Sequence, residues 1–174
     1  MKETKKIAIS AMLTALGAVL MAAGAVFEMI DLTACAVASL LVVLVYIEIG
    51  SPYTWLIWLA TSLATALMFP GSPVWAEYLF VFGIYPLLKA YIERLPRPAW
   101  FPVKLLFINA ILWVLILLVE GVFGIPIFGG EGEVMKLVIY LTANVAFVVY
   151  DLFITAMVRV YVLKFRPRFK RFFK

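Results

Sequence analysis

The sequence predicts an all-α membrane protein, a bundle of six transmembrane helices whose two termini both lie in the cytoplasm. Hydrophobic residues make up 66% of the 174 residues and charged residues only 14%, whereas soluble domains are about 45–50% apolar and about 25% charged. The apolar residues form continuous runs, and the charges between the runs differ from one side to the other. A chain of this size has too little interior to hide so much apolar surface from water. These observations exclude a water-soluble globular enzyme and a disordered chain.

Six apolar runs approach the length of about 20 residues that a membrane helix needs. They lie at residues 7–27, 32–49, 53–69, 74–92, 101–123 and 134–163, and form a single transmembrane domain. Turn-forming residues separate the runs at 50–52 and 70–73. Pro96, Pro98 and Pro102 are expected to keep the fifth helix from starting earlier, because proline cannot continue a helix. The runs do not alternate between apolar and polar residues as the strands of a membrane barrel do.

The charged residues between the runs predict the orientation in the membrane. Basic residues precede the first run, fill the loop between the fourth and fifth runs, and dominate the tail at 164–174. The opposite side is acidic and has Lys136 as its only base. Because basic loops stay in the cytoplasm, we expect a multi-pass protein of the cell membrane with both termini inside. The tail alternates bases with phenylalanines, which predicts anchoring to the lipid bilayer and no binding to nucleic acid.

The chemistry open to the chain is limited by its lack of histidine and its single cysteine. Without histidine, the commonest general base and the commonest transition-metal ligand are both missing. Cys35 lies among alanines and is interpreted as a small packing residue, since one thiol makes neither an internal disulfide nor a zinc site. The sequence also has no nucleotide-binding motif and no catalytic-serine motif. We therefore expect no enzymatic activity, no metal and no cofactor.

The first run carries small residues at helical spacing, in the segment KKIAISAMLTALGAVL. Ala11, Ala15 and Ala18 fall on one face and would let another helix approach closely in the membrane. We predict that they dock a partner; packing inside the chain's own bundle is the alternative. This segment, the six spans and the cytoplasmic termini resemble the substrate-binding (S) subunit of energy-coupling-factor (ECF) vitamin transporters. The resemblance implies a transmembrane coupling subunit on the first helix, separate ATPases, and a substrate held near the outer surface.

Polar residues inside the apolar runs are costly in hydrocarbon and are therefore candidates for function. These candidates are Glu48, Asn109, Asp151 and Arg159. In the sixth helix, Asp151 shares one face with Tyr140 and Asn144, because the three recur at helical spacing. The alternative is that the charged residues pair within the bundle, Asp151 with Arg159 or Lys136, and Glu48 with Arg159.

The outer ends of the last three helices carry residues suited to a small ligand. We predict a site formed by Trp75, Glu77, Tyr78, Glu120, Tyr140 and Asn144. Aromatic rings with a few directed polar groups suit a small, flat molecule, and the surplus of carboxylates favours a neutral or cationic one. An ordinary belt of interfacial aromatic residues is the alternative. Pro86 predicts a kink in the fourth helix, and the glycines at 129, 130 and 132 predict a flexible outer loop.

These features favour the membrane-embedded substrate-binding component of an ECF-type importer. Such a component captures a vitamin or a vitamin precursor outside the cell and hands it to an ATP-driven module. Two other classes stay open. One is a non-catalytic scaffold or interaction protein of the cell envelope, and the other is a small ion-coupled carrier that uses Asp151 and Glu48.

Overall fold

The computed structural model describes residues 3–124 and 133–169. In these ranges the regular structure is helical and contains no strand, which confirms the all-α class. The helices are α1 (Glu3–Val26), α2 (Asp31–Glu48), α3 (Ser51–Met68), α4 (Val74–Glu77), α5 (Tyr85–Ile92), α6 (Arg97–Gly121), α7 (Glu133–Val160) and α8 (Arg166–Phe169). A 3₁₀ turn occupies Glu28–Ile30, and π-helical turns occupy Tyr78–Phe82 and Tyr161–Phe165. The glycine-rich loop at 129–132 and the end of the basic tail, 170–174, lie outside the described residues.

Four helical segments are long and apolar enough to cross a membrane: Glu3–Val26, Asp31–Glu48, Arg97–Gly121 and Val134–Phe165. These segments make the chain a membrane-embedded protein. The 18 residues of α3 extend over about 27 Å at ~1.5 Å per residue, but serine, threonine and tryptophan make this helix less apolar. The run at 74–92 is divided into α4, a π turn and α5.

The helix bounds follow the apolar runs to within four residues, and the largest differences are at the starts of α1 and α6. This helix begins at Arg97, four residues before the predicted start, because Pro98 occupies its first turn. A proline there loses no hydrogen bond, since the first N–H groups of a helix have no partner inside it. Pro102 lies inside the helix and removes only the bond to the carbonyl of Pro98. Pro96 thus lies at the predicted break, immediately before the helix, whereas Pro98 and Pro102 lie within the helix.

The first of two hydrophobic cores lies where α1, α2 and α3 pack against one another and against the broken helix. Its buried residues include Met21, Cys35 and Tyr78. At Gly24 of α1, an added Cβ would lie 2.9 Å from the Cβ of Ala34 in α2. Glycine is needed there because a side chain would push the two helices apart.

The polar side chains of α3 are directed into the bundle. Thr54, Thr61, Ser62 and Thr65 are all buried. The hydroxyls of Thr54, Ser62 and Thr65 donate to the backbone carbonyl four residues earlier, at 2.8–2.9 Å. These local hydrogen bonds satisfy the hydroxyls without partners from other helices.

The second hydrophobic core lies between the broken helix, α6 and α7. Its buried residues are Val81, Tyr85, Ile108, Phe147, Tyr150 and Ile154. The ring of Tyr85 meets that of Phe147 edge-on, with centroids 4.7 Å apart. The outward side of α6 is apolar and exposed, for instance 72% at Leu106, as suits a surface in contact with lipid tails.

The broken helix between residues 74 and 92 contains a π turn whose free carbonyl is bonded by another helix. The N–H of Gly83 donates to the carbonyl of Tyr78 at 2.7 Å, five residues earlier instead of four. This leaves the carbonyl of Leu79 available, and the indole N–H of Trp58 on α3 donates to it at 3.1 Å. An added Cβ on Gly83 would lie 2.5 Å from the Trp58 ring, so only glycine fits beneath the indole.

Pro86 frees a second carbonyl in the broken helix. It has no N–H to donate to the carbonyl of Phe82, and the hydroxyl of Tyr150 on α7 donates to that carbonyl at 2.8 Å instead. The kink at Pro86 stays a prediction, since Gly83 and Ile84, which link the π turn to α5, keep helical φ and ψ angles.

Candidate functional site

Polar side chains lie at three levels along the facing sides of the broken helix, α6 and α7. The first level is a cavity, the second a pair of amides and the third a cluster of charges. On α7 the levels are marked by Tyr140, Asn144 and Asp151. From the first of these residues to the last, α7 extends over about 16 Å at ~1.5 Å per residue.

The first level, which we call the Glu77 cavity, has a volume of about 190 Å³. Its lining residues are Glu77, Leu112, Leu115, Ile116, Val119, Ile139, Tyr140 and Ala143. The α6 residues recur at helical spacing and form one aliphatic wall. Because a cavity of about 150 Å³ holds benzene, the Glu77 cavity has room for a small organic molecule.

Two polar atoms of the Glu77 cavity are buried and have no hydrogen-bond partner in the described part of the chain. They are Oε2 of Glu77 and the hydroxyl of Tyr140. The indole N–H of Trp75 is also buried without a partner, and its ring packs on Phe123 with centroids 6.0 Å apart. Buried polar groups are normally satisfied, so each exception needs an explanation. A ligand that brings complementary polar groups would supply one.

The predicted ligand residues are only partly brought together. Glu77 and Tyr140 line the same cavity, and Trp75 precedes Glu77 in the same short helix. Tyr78 is 1% exposed and packs in the first hydrophobic core. Glu120 is exposed near the end of α6. The cavity is therefore smaller than the predicted site and more apolar.

The second level joins Asn109 of α6 to Asn144 of α7. Each side-chain amide donates to the other's oxygen, at 3.1 and 3.2 Å. Each also donates to the backbone carbonyl four residues earlier in its own helix. Asn144, predicted to contact a ligand, thus has both amide hydrogens engaged within the protein. Such reciprocal bonds between helices are typical of membrane bundles.

The third level is centred on Asp151 of α7, and we call it the ion cluster. Lys89 of α5 donates to Oδ1 of Asp151, and Lys104 of α6 donates to both carboxylate oxygens at 3.0 Å. The hydroxyl of Tyr85 donates to Oδ1 at 2.5 Å. Glu93 completes the cluster, 3.3 Å from Lys89 and 3.1 Å from Lys104. These five residues join α5, α6 and α7.

The charges of the ion cluster balance, since two ammonium groups face two carboxylates. Lys89 and Lys104 are only 6% and 8% exposed. Buried charges are tolerated when they are paired and hydrogen-bonded, and Lys89 also donates to the hydroxyl of Thr155 at 2.7 Å. The ion cluster is satisfied internally, which suits a tie between helices better than a binding site.

Asp151 therefore has partners other than those considered from the sequence. We considered Arg159 and Lys136, which share its helix, whereas Asp151 pairs across helices with Lys89 and Lys104. The physical reason is that α7 faces α5 and α6 at this level. Arg159, two turns further along α7, is exposed.

Glu48 also has a different partner. Its side chain is only 7% exposed and lies 3.0 Å from Nε of Arg166, at the start of α8. The predicted pair with Arg159 is not formed, because the π turn at Tyr161–Phe165 carries the chain round to place Arg166 against the end of α2. This ion pair closes the end of the bundle where α2 ends.

The small residues of α1 divide between two faces. Gly17 and Gly24 are buried against α3 and α2. Ala11 and Ala15 are exposed, and Ala18 is half-buried. The alanines predicted to dock a partner thus form a stripe that the rest of the chain leaves largely uncovered.

The sequence analysis did not single out Lys104 and Glu93 of the ion cluster, nor Trp58 and Tyr150, which bond the broken helix. Lys104 resembles the other cytoplasmic bases, and its one distinguishing signal is its place inside an apolar run. The signal for Tyr150 is its position next to Asp151. We find no local signal for Trp58, whose bond to Leu79 spans 21 positions.

In the described ranges, no group of three or more potential metal-binding side chains lies together. Comparisons with family models, with curated proteins and with solved structures found no significant match. A function for this chain is therefore inferred from its sequence and its geometry.

Proposed function

We propose that the chain is the membrane-embedded binding component of an importer and holds a small, vitamin-like molecule in the Glu77 cavity. The observation that carries this proposal is the pair of buried, unpartnered polar groups on Glu77 and Tyr140. The two residues line a cavity whose other lining residues are aliphatic. Apolar walls with a few directed polar groups are typical of small-molecule sites.

The proposal includes six spans with both termini in the cytoplasm. Four crossings would be the long apolar helices, and α3 and the broken helix would be the others. Trp58 and Tyr150 bond the free carbonyls of the broken helix, which meets the requirement that backbone polar groups be satisfied in the membrane. In this orientation the Glu77 cavity lies on the outer side and the ion cluster on the inner side.

The proposal also includes transport with partners. The sequence has no nucleotide-binding motif, so the energy would come from separate ATPases, as in the ECF transporters that the first helix resembles. A transmembrane coupling subunit would dock on the stripe of Ala11, Ala15 and Ala18. The buried glycines of α1 face the other way, so docking would leave the contacts of α1 with α2 and α3 intact.

The two alternative classes have less support. In the ion-coupled carrier, the candidate carboxylates are Asp151 and Glu48, and both are already paired with basic side chains. An ion would have to break those pairs. If the chain were a scaffold protein without a ligand, the buried, unpartnered polar atoms of Glu77 and Tyr140 would have no role.

A ligand screen on the purified protein tests the proposal. Among vitamins and their precursors, we expect a compound that raises the unfolding temperature, because a ligand stabilises the state that binds it. Tyr140→Phe should then weaken binding by about 1–3 kcal/mol, since it leaves a buried polar group of the ligand unsatisfied. The matched control is Tyr91→Phe, at a tyrosine that is 42% exposed, and it should leave the affinity unchanged. The absence of any stabilising compound, or equal losses in the two variants, would contradict the proposal.

A further inference from the structure

We infer that the ligand of the Glu77 cavity is a small organic cation with an apolar body, and that it binds in exchange for a proton held by Glu77. This inference rests on the proposed function. It adds the charge of the ligand and the fate of the proton.

Glu77 has no positively charged partner among the described residues. Its Oε2 is buried without a hydrogen bond, and the charged group whose field acts on it is Asp31, a second acid, at the start of α2. The other titratable group that α2 contributes is the buried thiol of Cys35. From α6 the cavity receives only aliphatic side chains, and from α7 the neutral phenol of Tyr140. Lys136, one turn before Tyr140, makes an interaction of its own, and Asp31 is the charged residue that acts on Glu77.

A buried carboxylate without a counter-charge is unstable, so the site must hold either a proton or a cation. Without ligand, Glu77 is the neutral carboxylic acid. When a cation enters, the O–H bond of this acid breaks, the proton leaves to water, and the carboxylate pairs with the cation. The net charge of the cavity is the same before and after the exchange. An N–H group of the cation donates to the carboxylate, and a second one donates to the oxygen of Tyr140.

The walls of the Glu77 cavity define the rest of the ligand. Four aliphatic side chains of α6 line it: Leu112, Leu115, Ile116 and Val119. A volume of about 190 Å³ accepts a body of the size of a benzene ring, which occupies cavities of about 150 Å³. Benzylamine, protonated at neutral pH, has this size and charge, and benzyl alcohol is its neutral counterpart.

Calorimetric titration of the full-length protein with these two probes tests the inference. Titrations in two buffers that differ in ionisation enthalpy give the number of protons released. We expect benzylammonium to release about one proton, and its affinity to fall about tenfold per pH unit as the pH is lowered through the range in which Glu77 is protonated. Glu77→Gln should lower its affinity at least about tenfold and abolish the release, because the amide has no proton to exchange. Glu48→Gln, at a buried carboxylate that already has a partner, should change neither quantity.

The outcomes separate the inference from the proposed function. Binding of benzylammonium without proton release, or with unchanged affinity in Glu77→Gln, would overturn the exchange. Binding of benzyl alcohol but not benzylammonium would overturn the cation while leaving a small-molecule site. If neither probe binds and the vitamin screen also fails, the proposed function falls together with the inference.

Discussion

Asp151 and Glu77 are two half-buried acidic residues that carry the same functional group in different surroundings. Asp151 accepts hydrogen bonds from three side chains on α5 and α6, and so it joins helices. Glu77 has no such donors within the described residues, and so it is available to a ligand. Because a buried charge needs a partner, the neighbours decide whether a carboxylate is structural or binds something else.

At this scale we predict that Asp151→Asn strongly destabilises the protein. The substitution keeps the shape of the side chain but leaves the two buried ammonium groups of Lys89 and Lys104 with one carboxylate, that of Glu93. Removing one partner of a buried ion pair costs about 3–5 kcal/mol, and denaturant unfolding in detergent micelles measures the loss. Arg159→Gln, at an exposed residue, should change the free energy of unfolding by less than about 0.5 kcal/mol.

A second measurement separates charge from packing in the ion cluster. Replacing Lys89 alone by methionine in the Asp151→Asn background removes the excess charge, leaves Lys104 paired with Glu93, and should recover part of the lost stability. An Asp151→Asn variant as stable as Arg159→Gln would show that the ion cluster does not hold the three helices together.

At the scale of elements, the broken helix joins the two hydrophobic cores. It contributes Tyr78 and Leu87 to the first core, and Val81 and Tyr85 to the second. One short segment therefore contacts both cores. π turns are frequent at functional sites, and Glu77 immediately precedes this one.

The prediction for this element concerns its one crowded glycine. Gly83→Ala should destabilise the protein by about 1–3 kcal/mol, the usual cost of overpacking, because the added methyl would lie 2.5 Å from the ring of Trp58. The same change at Gly121, where nothing lies within 4 Å, should be neutral or slightly stabilising. Thermal unfolding of the two variants in the same detergent makes the comparison. Equal stability of the two would mean that the indole moves aside easily and that the π turn is not fixed by it.

The helices were predictable from the sequence, while the contacts between them were not. Apolar runs and turn residues give the helix bounds, because both are local properties of the chain. The partners of Asp151 lie 62 and 47 positions away, and the choice among several lysines depends on which helices face each other. Glu77 and Tyr140, which the sequence suggests for a site because each is polar near the end of an apolar run, line one cavity. The sequence did not show that Tyr78 lies outside the cavity. Tyr78 follows Glu77 directly, and a step of one residue along the helix directs its side chain into the first core.

The Glu77 cavity and the stripe on α1 lie on different helices of the molecule. The cavity is formed where the broken helix meets α6 and α7. The stripe lies on α1, which packs with α2 and α3 around the first core. The proposed ligand site and the proposed docking surface therefore consist of separate side chains, and substitutions can test them independently.

A substitution at Ala15 tests the stripe without changing the cavity. Ala15 is exposed on the stripe, so Ala15→Trp adds a bulky ring outside the bundle and should leave the protein folded. If a coupling subunit docks there, the ring would hold its helix away, because close approach between membrane helices depends on small residues. We expect tagged wild-type protein, purified from its native membranes, to bring with it a transmembrane subunit and ATPases, and Ala15→Trp to lose all of them.

The control for this experiment is Leu16→Trp. Leu16 is also exposed, at 48%, but the next position along a helix lies about 100° around the axis, away from the stripe. This variant should keep the partners, and both variants should keep the affinity for any ligand of the Glu77 cavity. Retention of the partners by Ala15→Trp would move the docking surface off the stripe. Loss of ligand affinity in Ala15→Trp alone would mean that the stripe packs against residues that support the cavity. That result would contradict the separation of the two surfaces.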